Sequence, residues 1–142
     1  MVLQWISGIG VHPNEAGALN TIIHELLNDG INPGEITLLS PVRFEISVAR
    51  SLKGLARSIV DLAGASSDIV TDAIQFSTIQ AFKGMETSVG VMIDLHGIED
   101  TARQALLYVG MSRARSHLVM LVHQSFKIHV EVAVRRRLGR AI

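Results

Sequence analysis

Apolar residues recur along this chain at two periods in turn, one suited to strands and one to helices. Residues 2 to 8 read as a strand that begins almost at Met1. Asn14 can cap a helix opened by Glu15, in which Ala16, Leu19, Ile23 and Leu26 keep the 3.6-residue period until Gly30 closes it. Ile31-Asn-Pro-Gly34 is a turn, and Ile36 to Ser40 is a second, buried strand. Pro41 breaks that strand. Val48, Leu52, Leu55 and Ile59, flanked by Ala49 and Ala56, predict a second amphipathic helix that fades near Gly64, followed by a short polar loop to Asp68. Ala73 to Ile79 and Val89 to Leu95 are strands three and four.

Ala102, Ala105, Leu106 and Val109, widened by Leu107, Met111 and Ala114, form the stripe of a helix packed on a sheet. Its last turn is expected to carry Arg113 and Arg115, cations suited to the negative end of the helix dipole. Leu118 to Val122 is a fifth strand, and a last helix is expected from Phe126 to Leu138, ending in an arginine cluster. Strands alternating with helices predict an α/β fold with right-handed crossovers and a mostly parallel sheet covered on both faces. Ligands of such sheets bind at the carboxyl ends of the strands, where the loop after Ile79 and the region around Arg43 fall.

With 142 residues the chain fits a single domain, residues 1 to 142, able to bury a core. A composition 48% hydrophobic and 18% charged excludes a disordered or coiled-coil chain. The formal net charge is zero, so any nucleic-acid contact has to come from a local patch. The lack of cysteine excludes disulfides, thiolate metal sites and cysteine nucleophiles. Without a signal peptide or a membrane-length apolar run, the default expectation is a cytoplasmic protein with no membrane partner. The abrupt first strand points to a fragment of a longer chain. His117, His123 and His129 recur every six residues, which fits no zinc spacing and reads as strand ends and surface.

Two stretches carry candidate chemistry. Tyr108-Val-Gly-Met-Ser-Arg-Ala-Arg115 resembles the sixth motif of the UvrD/Rep-like superfamily 1 helicases, usually Tyr-Val-Ala-x-Thr-Arg-Ala. Phe76-Ser-Thr-Ile-Gln-Ala-Phe-Lys-Gly-Met-Glu86 resembles the fifth motif of that family, usually Thr-x-His-x-x-Lys-Gly-x-Glu. The two stand in the family's order, each at a strand edge. Gln80 stands where the usual histidine would be, and Ser112 where the usual threonine would be.

The resemblance implies a three-layer RecA-like fold and the second of two motor lobes. In such helicases the first lobe carries the phosphate loop and the magnesium-binding acid, and ATP binds between the lobes. This chain has no Gly-Lys dipeptide and hence no phosphate loop of its own. ATP and Mg2+ are therefore expected only in a two-lobed enzyme, with a first lobe as partner and none in the isolated domain.

By the same resemblance Arg113 would be the arginine finger, its guanidinium stabilising charge on the transferring phosphoryl group. Gly84 and Glu86 match nucleotide-binding positions. Thr78, Gln80 and Lys83 match positions along the track for single-stranded nucleic acid, DNA or RNA, where donors to phosphate and sugar suffice. Arg43, after the second strand, loosely matches a further contact with the strand. By the same resemblance Phe82 could stack on a base; the plainer readings are a core side chain for Phe82, a helix-end cation for Arg113, a helix-start acid for Glu86 and a turn glycine for Gly84. Arg103 and Arg115 read as surface charges, and Arg135-Arg-Arg137 with Arg140 as a solvated face. Two other functional readings are a degenerate, non-catalytic module that holds nucleic acid or a partner, and an unrelated doubly wound domain.

Overall fold

The computed structural model describes residues 2–6, 15–52, 59–63, 72–95 and 101–122, together with Val132 and Arg135. Six strands form one sheet in the order β1-β6-β5-β2-β4-β3, with every pairing parallel. They are β1 (Val2–Ile6), β2 (Ile36–Ser40), β3 (Ile59–Asp61), β4 (Ile74–Thr78), β5 (Thr87–Met92) and β6 (Ala114–Leu121). Helix α1 (Glu15–Asn28) joins β1 to β2, and helix α2 (Thr101–Met111) precedes β6.

The layering follows from the direction of each crossover. From β1 the chain moves across the sheet to β2, whereas from β4 to β5 and from β5 to β6 it moves the opposite way. Right-handed connections then place α1 on one face, and α2 with the segment after β4 on the other. Packing agrees. Leu19, Ile22, Ile23 and Leu26 of α1 share a core with Leu38, Phe76, Val89, Val91 and Val119. Leu107 and Met111 of α2 share the opposite core with Ile79, Phe82, Met92, Leu118 and Met120. Alternate residues of β5 and β6 feed the two cores, as the period of two requires, and each fully buried Leu or Ile contributes about 1.5–3 kcal/mol. The fold is thus α/β, with a parallel sheet between helical layers.

Helix α2 lies close to the sheet. A Cβ on Gly110 would stand 2.6 Å from Met92 Cε and 3.1 Å from Ile79 Cδ1, so a larger residue there would have to displace those side-chain ends.

Three expectations are corrected. The helix expected over Val48 to Ile59 is absent from the described residues there: two short 3-10 turns, Phe44–Ile46 and Val48–Ser51, lead instead toward β3, in which Ile59 is a strand residue. Ser47 caps the second turn by accepting from Ala49 N, and a buried hydrogen-bond network holds the segment. Helix α2 stops at Met111, so Arg113 and Arg115 are not on its last turn; Ser112 N and Arg113 N bond back to Val109 O and Gly110 O, tightening the end. The fourth and fifth expected strands begin earlier, at Thr87 and Ala114, because the parallel β5–β6 ladder extends to that pair.

The Asn14 cap, His123, His129, Arg136, Arg137 and Arg140 lie outside the described residues. So does most of the expected last helix, of which Val132 and Arg135 are helical and exposed. Among the described residues no helix is long and apolar enough to cross a membrane.

Candidate functional site

The expected site residues divide between the two ends of the sheet. Thr78 closes β4 at the carboxyl edge, beside Ser40, its partner at the end of β2. Arg43, exposed, follows Ser40 by three residues. Glu86 and Arg113 lie at the amino edge, each directly before a strand, with Thr87 N donating to Arg113 O over 2.9 Å.

The segment from Ile79 to Glu86 joins the two edges across the α2 face. Thr78 starts it: its Oγ1 accepts from Ala81 N at 3.2 Å and its carbonyl from Phe82 N at 3.1 Å, so the threonine hydroxyl closes the first turn. Phe82, 2% exposed, is a core side chain beneath the segment, while Gln80 and Lys83 are exposed above it. Gly84 has φ +81°, a left-handed conformation that turns the chain toward Met85 and Glu86.

At the amino edge the two motif-like stretches touch. Arg113 is half-buried. Its Nη1 donates to Met85 O at 3.4 Å, its Nη2 to Ser112 Oγ at 2.9 Å, and its Nε to Ser112 Oγ at 3.1 Å and Val109 O at 3.3 Å. Ser112 Oγ in turn donates to Val109 O at 2.7 Å. The guanidinium thus covers one carbonyl of the last turn of α2, that of Val109, as expected for a helix-end cation. It is not used up by that role. The second N–H on each terminal nitrogen has no acceptor among the described residues, which leaves a planar fork suited to phosphate oxygens.

Glu86 is exposed and lies 3.9 Å from Arg115 Nε, with the two side chains 64% and 60% accessible. Arg115 also donates to Ser88 Oγ at 3.2 Å. Such an ion pair is screened by solvent and orders little. Met85 projects an apolar side chain, 49% exposed, beside Arg113. Gly84, Glu86 and Arg113 are therefore brought together, and Thr78 and Arg43 share the opposite edge. Gln80 and Lys83 lie on the connection between.

A buried network at the carboxyl edge was not foreseen. Asp94, 3% exposed, follows β5 with φ +58°, an uncommon conformation for a residue bearing a side chain. Its Oδ2 accepts from Ser40 Oγ at 2.5 Å and from Ser47 Oγ at 2.6 Å, and its Oδ1 from Val48 N at 2.9 Å. Its own N–H donates to Glu15 Oε1 at 3.2 Å. The available signal was a lone carboxylate in an apolar strand run, Val91-Met-Ile-Asp-Leu95. Among the described residues no group of histidines and carboxylates is placed to hold a metal ion.

No protein-family model matches this chain, and no curated protein matches it.

Proposed function

We propose that this chain is the second motor lobe of an ATP-dependent DNA or RNA helicase of the UvrD/Rep-like kind. In that role it supplies Arg113 to ATP held on a first lobe and lines part of the single-strand track. The supporting observation is the meeting of the two motif-like stretches at the amino edge. Arg113 is oriented there by the Ser112 hydroxyl and the Met85 carbonyl, one group from each stretch, with N–H groups left over among the described residues.

Each residue's share follows from its placement. Arg113 holds a half-buried guanidinium at the amino edge, whose remaining N–H groups would meet phosphate oxygens developing charge. Ser112 fixes the plane of that fork. Gly84 turns the chain so that Met85 O meets Arg113, and Glu86, exposed beside Arg115, is available to accept from ribose hydroxyls. Thr78, Gln80, Lys83 and Arg43 offer donors to phosphate and sugar of a single strand. Magnesium and the phosphate loop belong to the first lobe in this reading. In this reading the lobes close around ATP, and transfer of its γ-phosphoryl group to water, leaving ADP, lets them open.

A second reading, a non-catalytic module that binds nucleic acid or a partner, is favoured by the bonds that already tie Arg113 to its own helix end. ATP turnover by the intact protein in the presence and absence of oligothymidylate or oligouridylate separates the two. The motor reading expects hydrolysis stimulated by one of these strands; strand binding without any hydrolysis would leave the second reading standing.

A further inference from the structure

We infer that Asp94 is a positioning residue for the nucleic-acid contact made by Arg43, an inference that rests on the strand-track reading above. β2 and β5 are neighbours up to the pair Leu39 and Met92, and Ile93 N still donates to Leu39 O at 3.0 Å. Beyond that point the strands diverge, and the left-handed turn at Asp94 swings its carboxylate back across the gap.

The carboxylate then holds both ends of one loop. Ser40 lies before Pro41-Val-Arg43-Phe-Glu-Ile46, and Ser47 and Val48 N lie after it; all three donate to Asp94. Each serine passes the order on, since Ser40 Oγ accepts from Val42 N and Ser47 Oγ from Ala49 N, both at 3.1 Å. The loop is pinned elsewhere as well. Phe44 packs edge-on against Phe76, with centroids 5.2 Å apart at 71°, and Arg50 Nη1 donates to Glu45 O at 3.2 Å. Arg43 itself is exposed and points no hydrogen bond inward among the described residues.

A loop so heavily anchored, yet presenting a free guanidinium, is built to hold that charge at a set distance from Thr78, the register partner of Ser40. Contacts to successive phosphates reinforce one another only when their spacing is fixed before binding, because ordering costs are then already met. A left-handed residue persists where surroundings over-determine it, commonly at functional sites. Asparagine at 94 accepts the left-handed backbone, but it offers one acceptor oxygen and one NH2, so it cannot receive all three donors.

The test uses the intact protein with fluorescent oligothymidylate and oligouridylate across a salt series. Arg43→Ala is expected to weaken binding several-fold and to lower the salt slope by about 0.7, the value of one phosphate on a single strand. Asp94→Asn should lower the slope by a similar amount, and the double variant should bind no worse than Arg43→Ala alone. Ser47→Ala, a milder loosening of the same loop, should fall between wild type and Asp94→Asn. Amide exchange at Ile46 and Val48 should quicken in Asp94→Asn with no strand present. A wild-type slope in Asp94→Asn, additive losses in the double variant, or unchanged exchange would each overturn the inference. If Arg43→Ala leaves binding and slope unchanged while exchange quickens, the strand-track reading fails instead and takes the positioning role with it.

Discussion

The guanidinium of Arg113 donates to the carbonyl of Met85 across 3.4 Å, which ties the turn before β6 to the segment that crosses the α2 face. Only a planar side chain can reach Met85 O with one nitrogen and Ser112 Oγ with two others. Arg113→Lys is therefore expected to lose the fork while keeping the charge. Under the motor reading, the ATP turnover of the intact Arg113→Lys protein should fall close to that of Arg113→Ala; turnover near wild type would mean that charge alone suffices.

Asp94→Ala leaves Ser40 Oγ and Ser47 Oγ without their buried acceptor, and part-buried Val48 N without its own. Each unsatisfied buried group costs about 1–3 kcal/mol, and alanine also tolerates the left-handed backbone poorly. Urea unfolding should show a loss of about 3 kcal/mol or more. A loss below about 1 kcal/mol would show that water replaces the carboxylate freely.

Gly84→Ala meets no atom within 4 Å, so its cost isolates the backbone. At φ +81° an alanine should destabilise by about 1–2 kcal/mol. Thermal unfolding of this variant measures it, and an unchanged midpoint would contradict the assigned turn.

Phe82 and the Glu86 to Arg115 pair should behave oppositely. Phe82→Ala removes a core side chain and should cost about 3–5 kcal/mol. Arg115→Ala breaks an ion pair more than half exposed on both sides and should change stability by less than about 1 kcal/mol. Unfolding curves for the two variants measure the difference; a small loss in Phe82→Ala or a large one in Arg115→Ala would contradict it.

What the chain showed in advance follows from which forces act locally. Leu19, Ile23 and Leu26 announced α1, and the buried run Ile36 to Ser40 announced β2, because one apolar face or one apolar run is enough to fix each. Phe82 was read as core, and it is. The segment after Pro41 was misread as a helix because Val48, Leu52, Leu55 and Ile59 keep a helical period, while the serine hydroxyls that hold it as 3-10 turns answer to Asp94, forty-six residues further on than Val48. Long-range hydrogen bonds leave no periodic trace. For the same reason the approach of Met85 O to Arg113 was invisible, although both motif-like stretches were in view.

The most direct test of the motor reading is single-turnover ATP hydrolysis by the intact protein, wild type against Arg113→Ala, alongside ATP binding by each. The account predicts that binding is retained while hydrolysis falls by about a thousandfold or more. Unchanged hydrolysis in Arg113→Ala would contradict it and leave Arg113 as a cation closing the end of α2.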